Sequence, residues 1–123
     1  MTVIMTKKKE KEIMNTTKKD NYEWCYLIPF GWEQLARKMI QECEAIDSSY
    51  EIIDMKEKWG CLSVYSSCET ERYIEIEEIE EKYRKMSKKT CSKCGRIATR
   101  MSQGYILPFC DKCWSNNDFK SVS

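Results

Sequence analysis

The chain of 123 residues contains no histidine, and that absence excludes more than any other. Without imidazole there is no Ser-His-Asp or Cys-His nucleophile, no His-bearing zinc site and no ordinary general base near neutral pH. No apolar run approaches the roughly 18–20 residues that span a bilayer, so no membrane partner is expected. The net charge is only +1, so no global field draws the protein to nucleic acid. The N-terminus (MTVIMTKKKEKEIMNTTKKD) places its short apolar stretch before its lysines, the reverse of a signal peptide. A cytoplasmic protein is the expectation. Hydrophobic residues at 41% and charged residues at 33% fit a globular class and exclude a fibrous one. A domain of this length buries about 60–70% of its unfolded surface, so a staple would help its core.

Eight cysteines stand against these absences. In a cytoplasmic chain they argue for metal binding or buried thiols rather than a disulfide scaffold. Cys91 and Cys94 form one C-x2-C pair, Cys110 and Cys113 another, with fifteen residues between the pairs. Each pair makes a tight knuckle that points two sulfurs at one ion, and the longer loop brings the second knuckle from the opposite side. Gly95 follows the first pair, where a knuckle calls for positive φ. The intervening GRIATRMSQGYILPF reads as a short hairpin turning at Ser102-Gln103-Gly104, which makes the segment a zinc ribbon. Free thiols or two redox pairs are the competing reading, but redox C-x-x-C motifs come singly beside a βαβ pattern. Four thiolates close the coordination shell, so one structural Zn2+ per chain is expected, with no catalytic residue and no small-molecule substrate. Its binding, about 10–16 kcal/mol in zinc-finger peptides, would supply folding free energy. Cys25, Cys43, Cys61 and Cys68 lack this spacing. Cys43 lies on an apolar helix face, while Cys61 and Cys68 are placed to approach each other across a hairpin.

The rest of the chain predicts an α+β fold. Residues 1–20 read as a flexible Lys-rich arm, 21–88 as the α+β core, 89–115 as the ribbon and 116–123 as a flexible tail. The aromatic run from Asn21 to Pro29 predicts an extended segment. Trp32, Leu35, Ala36, Met39, Ile40, Cys43 and Ile46 step by three and four, the spacing of one helical face, with Gly31 as a tolerable N-cap. Tyr50–Lys58 and Leu62–Ser66 read as strands of an antiparallel hairpin turning at Trp59-Gly60-Cys61. A second helix is expected from Thr70 to Met86, with Tyr73, Ile76, Ile79, Tyr83 and Met86 as its apolar stripe. Its acidic first half and basic second half complement the helix dipole.

Two surfaces are candidates for contact. Lys88, Lys89, Lys93, Arg96, Arg100 and Lys112 face one acid, Asp111, a net of +5 that four thiolates and a zinc dication reduce to +3. Of these, Lys89, Lys93, Arg96, Arg100 and Lys112 are the candidate nucleic-acid contacts, with Tyr105 and Phe109 either stacking on bases or filling the ribbon's core. Glu75, Glu77, Glu78, Glu80 and Glu81 are the candidate protein-partner contacts, since an acidic face can occupy a basic nuclease channel. Trp24, Trp59 and Trp114 are natural interface anchors wherever they are exposed. The cluster Asp54-Met55-Lys56-Glu57-Lys58 reads as a charged strand edge rather than an active site.

Gly31-Trp32 opening a helix, Lys56-Glu57-Lys58-Trp59-Gly60 followed by Leu62 and Val64-Tyr65, and the ribbon from Cys91 to Cys113 together resemble a widespread family. Its members are small zinc-ribbon proteins encoded by bacteriophages and prophages, and the likeness spans roughly residues 27 to 114. Trp59 stands where the family usually has phenylalanine, Cys61 where a second glycine is common, Cys113 for a frequent histidine and Tyr105 for tryptophan. The resemblance implies a mobile-element origin in a bacterial host. Small phage proteins of this kind often bind a host protein stoichiometrically, and inhibitors of defence nucleases of the anti-CRISPR type are one such class. A nucleic-acid-binding regulator is the alternative reading.

Overall fold

A computed structural model describes residues 20–102 and 106–115. The arm before residue 20, the tail from 116, and the turn residues Gln103, Gly104 and Tyr105 lie outside the described residues. The fold is α+β. A 3-10 helix (Asn21–Leu27) and a 3-10 turn (Phe30–Trp32) lead into helix α1 (Glu33–Ile46). Strands β1 (Glu51–Lys58) and β2 (Cys61–Ser67) follow, then helix α2 (Tyr73–Lys88), the short strands β3 (Arg100–Met101) and β4 (Pro108–Phe109), and a short helix α3 (Asp111–Ser115). Among the described residues no helix is long and apolar enough to cross a membrane.

The 3-10 helix corrects the extended segment expected over Asn21–Pro29. Its start is fixed by Asn21, whose buried amide donates to the Tyr50 carbonyl at 2.9 Å and accepts from the Ile52 N–H at 2.8 Å. One side chain thereby bonds the backbone on either side of the start of β1, at Tyr50 and Ile52, and the segment coils back over α1 instead of pairing as a strand.

β1 and β2 pair antiparallel from Glu51↔Ser67 to Lys58↔Cys61, with Ile53 extra between the paired Ile52 and Asp54. Their connection is a two-residue turn in which Trp59 (φ 56°) and Gly60 (φ 81°) both adopt positive φ, the type I′ signature. The turn is therefore one residue shorter than expected, and Cys61 belongs to β2.

The core lies between the hairpin and the two long helices. Trp32, Met39, Ile40 and Cys43 from the α1 region meet Ile52 and Met55 of β1, Leu62 of β2, and Ile76 and Tyr83 of α2. The α1 stripe is as expected, with Leu35 and Ile46 half-buried at its rim. On α2 the buried face is displaced, because Tyr73 and Met86 are exposed whereas Ser87 is fully buried. Ser87 Oγ accepts from the Leu62 N–H at 2.8 Å and donates to the Arg84 carbonyl at 2.6 Å, pinning the last turn of α2 to the start of β2.

Candidate metal centre

The first knuckle is Cys91-Ser92-Lys93-Cys94-Gly95-Arg96. Gly95 N–H donates to the Cys91 carbonyl at 3.0 Å, Cys91 N–H to the Arg96 carbonyl at 2.6 Å, and Gly95 takes φ 87° to close the loop. The positive φ is the feature its glycine predicted. The second knuckle runs Cys110 to Cys113 into α3, where Trp114 N–H donates to the Cys110 carbonyl at 2.9 Å. β3 and β4 tie the knuckles together, pairing Arg100 with Phe109 and Met101 with Pro108. Ser92 reinforces the join, since its N–H and its hydroxyl both donate to the Pro108 carbonyl, at 2.8 and 2.9 Å.

This arrangement gathers the four sulfurs of Cys91, Cys94, Cys110 and Cys113 within 4.8 Å of one another. Four thiolates about 2.3 Å from a single ion stand about 3.8 Å apart at the edges of a tetrahedron. The Cys94 and Cys110 sulfurs lie 3.6 Å apart, close to that edge, so the cluster is compatible with one metal ion. Cys91 and Cys110 are buried, while Cys94 and Cys113 face the outer side of the cluster. Burial opposes the Cys91 thiolate, but the backbone N–H groups of Cys110, Cys94 and Lys93 and the Cys94 thiol outweigh it, bringing Cys91 down to about 6. Cys113 is pushed up to about 12 by burial and by the thiols of Cys94, Cys110 and Cys91 around it. The cluster therefore favours one thiolate readily and resists the last until a cation compensates the accumulated charge.

The centre is joined to the core at Gly31. Gly31 N–H donates to the Ser92 carbonyl at 2.8 Å, and the buried Trp32 indole donates to the Thr90 carbonyl at 3.0 Å. A Cβ on Gly31 would stand 2.0 Å from the Cys91 carbonyl oxygen and 2.8 Å from the Gly95 nitrogen. Gly31 thus serves a close backbone approach and is not the N-cap of α1, a position held by Trp32. The only sequence signal for this contact was the glycine itself.

The basic candidates divide. Lys89, Lys93, Arg96 and Lys112 are exposed around the ribbon. Arg100 is engaged within it, with Nε 2.9 Å from Asp111 and its guanidinium 5.7 Å from the Trp114 ring centre. Phe109 is 4% exposed and packs edge-on against Trp114, so it belongs to the ribbon's core and does not stack on bases.

The acidic candidates do not form one continuous face. Glu80 turns inward, where its Oε2 accepts from Tyr50 Oη at 2.8 Å and Ser66 Oγ at 2.6 Å. Burial holds its carboxyl above the usual range. Glu75 is paired with Arg72 at 2.7 Å and Glu81 with Arg84 at 2.5 Å. Glu77 and Glu78 share their exposed groove with Lys82 and Lys85.

Cys61 and Cys68 lie on the same strand and its continuation, roughly 23 Å apart at the usual rise, so they cannot share a metal. Burial pushes Cys43 up to about 12, which fits a small buried hydrophobe rather than a reactive thiol. Trp24 and Trp114 are half-buried, whereas Trp59 is 77% exposed at the hairpin tip. Below it, a Cβ on Gly60 would meet Met101 and Ile106 at 3.0 Å, so the tip rests on the ribbon. No protein-family model, curated protein or solved structure matches this chain.

Proposed function

We propose that this chain is a zinc-stabilised binding protein of mobile-element origin, without catalytic residues, acting stoichiometrically on a host protein in the bacterial cytoplasm. A defence nuclease, inhibited in the anti-CRISPR manner, is the target class we favour. An all-cysteine donor set suits zinc, and four protein thiolates around it would leave no open position for a substrate or activated water. Cys91, Cys94, Cys110 and Cys113 would hold the ion, and its contribution is to fix the ribbon against Gly31 and Trp32.

The observation that carries the reading is Trp59. A bulky residue at positive φ costs roughly 1–2 kcal/mol, and this one leaves its indole 77% exposed on a braced tip. Exposed tryptophans on rigid supports are the common anchors of protein interfaces. Here the partner surface shifts from the broken acidic face of α2 to the hairpin tip beside the ribbon.

The test is affinity capture from the native host with full-length wild-type and Trp59→Asn baits. Wild type should recover one effector at near-equal molar amounts. Trp59→Asn should weaken capture at least tenfold, the effect of losing an interface anchor worth about 2 kcal/mol. The same change should leave the fold intact, since Asn-Gly suits a type I′ turn. Equal capture by both baits would move the interface away from Trp59. Salt-sensitive recovery of nucleic acid in place of a protein would favour the regulator reading, which the exposed Lys89, Lys93, Arg96 and Lys112 support.

A further inference from the structure

The hairpin tip is braced from within and from both of its neighbours. Glu57 Oε2 accepts the Gly60 N–H at 2.9 Å, which fixes the two-residue turn. On the far edge of β2, Ser87 Oγ accepts the Leu62 N–H and Arg84 Nη1 lies 3.8 Å from Cys61 Sγ, so the last turns of α2 flank the tip. On the ribbon side, the ends of Met101 and Ile106 close on Gly60, the residue after Trp59. Three exposed apolar side chains, Trp59 at 77%, Met101 at 46% and Ile106 at 36%, are thereby brought to one end of the molecule.

Charge at this end is one-sided. The acids of the segments around the tip are engaged, Glu57 by Gly60, Glu81 by Arg84, and Asp111 by Thr99 and Arg100. Lys58 on β1, and Lys88 and Lys89 beyond β2, are exposed and make no ion pair among the described residues. The Lys89 carbonyl accepts the Ala98 N–H at 2.8 Å, which holds this lysine beside the segment that leads to Met101. From Lys88 to Cys113 the count stays at +3 after four thiolates and a zinc dication are subtracted, so neutralising the cysteine cluster does not use these lysines up.

We propose that the tip docks an acidic segment of the host protein, one that carries a large apolar side chain flanked by Asp or Glu. The apolar group packs against Trp59, Met101 and Ile106. Its flanking carboxylates meet Lys58 on one side of the hairpin and Lys88 and Lys89 on the other. The inference rests on the protein-binding reading above and names the chemistry of the partner. Met101 and Ile106 offer no ring for a base to stack on, so the patch favours a peptide over a single-stranded nucleic acid. A tip fixed before binding keeps the ordering cost low, while the surrounding cations supply orientation and salt dependence more than raw affinity.

The experiment follows amide and indole chemical shifts of full-length, zinc-loaded, isotope-labelled protein. The probes are a capped Glu-Asp-Leu-Phe-Glu-Asp peptide, its Gln-Asn-Leu-Phe-Gln-Asn and Lys-Lys-Leu-Phe-Lys-Lys counterparts, and a thymidine dodecanucleotide. The acidic peptide should give saturable shifts at Lys58, Trp59, Lys89 and Met101. It should bind about fivefold tighter than the uncharged peptide at low salt, the effect of a few exposed ion pairs. That gap should close at about 0.5 M salt, where the charges are screened. Lys58→Glu and Lys89→Glu should each narrow the gap, and Trp59→Asn should weaken both peptides. A wild-type amide pattern away from the tip shows that each variant still folds. No saturable shift up to about 5 mM peptide, equal binding of the acidic and uncharged peptides, or tighter binding of the basic one would overturn the proposal. Tighter binding of the dodecanucleotide than of the acidic peptide would overturn it in favour of a nucleic-acid surface. Its failure is separable from failure of the host-binding reading. A host protein captured equally by wild type and by the Lys58→Glu, Lys89→Glu double variant leaves that reading standing without an acidic partner segment. Peptide binding with no captured protein does the reverse.

Discussion

At Gly31 and Gly95 the constraint on the residue is close backbone approach. Gly31 and Gly95 face each other, and a Cβ on Gly95 would lie 3.0 Å from the Gly31 carbonyl while forcing φ 87° on a non-glycine residue. A Cβ on Gly31 would lie 2.0 Å from a backbone oxygen that has no flexible end to yield. Gly31→Ala should therefore destabilise by about 3 kcal/mol, the upper part of the usual overpacking range, read as a lower urea midpoint at unchanged slope. It should also weaken metal binding, because the displaced carbonyl belongs to Cys91. Gly95→Ala should cost about 1–3 kcal/mol, mainly through its left-handed backbone. An unchanged midpoint for Gly31→Ala would mean that the knuckle and α1 separate freely.

Among the elements, α2 mixes apolar and polar side chains on its buried face. Its inward face steps Ile76, Glu80, Tyr83 and Ser87, at intervals of four, three and four. That spacing was present in the sequence. The apolar stripe masked it, because Glu80 and Ser87 are polar and their partners Tyr50, Ser66 and Leu62 come from distant segments. The helices, the hairpin and the four-cysteine site were legible because periodicity, a turn glycine and matched cysteine spacing are local signals. The 3-10 start, the Gly31 contact and the strain at Trp59 were not, since each is set by what the chain meets after folding. The groups around Glu80 are Glu77 from its own helix, Ser66 of β2, and Tyr50, which is backed by Cys43 of α1. Tyr50 is driven well above its ordinary value by burial and then by Glu80, so it remains a hydrogen-bond donor. A carboxyl raised above its ordinary 4.5 holds its proton more tightly folded than unfolded, so stability falls as pH rises from 4.5 through the folded value. Glu80→Gln removes that loss and keeps an acceptor for both hydroxyls. Its thermal midpoint should exceed the wild type's at pH 7, with the gap closing below about pH 4.5, in paired melts across that window. A variant less stable than wild type at pH 7 would show that the ionised carboxylate strengthens these hydrogen bonds by more than its burial costs.

At the scale of the molecule, the four-cysteine cluster is built into the core and does not hang from it. Gly31 and Trp32 bond to Ser92 and Thr90, the hairpin tip rests on Met101 and Ile106, and Ser87 joins α2 to β2 just before the first knuckle. Metal binding should therefore stabilise residues far from the cysteines, as ligand linkage requires when only the folded chain offers all four thiolates. One zinc per chain is expected by elemental analysis of gently purified protein. Chelator treatment should lower the melting temperature of a single transition by 10 °C or more, since 1 kcal/mol shifts a domain of this size by about 4 °C and zinc contributes several times that. A separate ribbon would behave differently, with a low-temperature step responding to chelator and a core transition that did not move. Buried Trp32 offers a local reading of which case holds, because its indole bond to Thr90 breaks only when the knuckle leaves α1. In a chain whose other tryptophans are replaced by phenylalanine, the remaining emission should shift to the red along with the loss of metal. A red shift that waits for the high-temperature transition would separate the two modules and leave the Gly31 contact without a thermodynamic role.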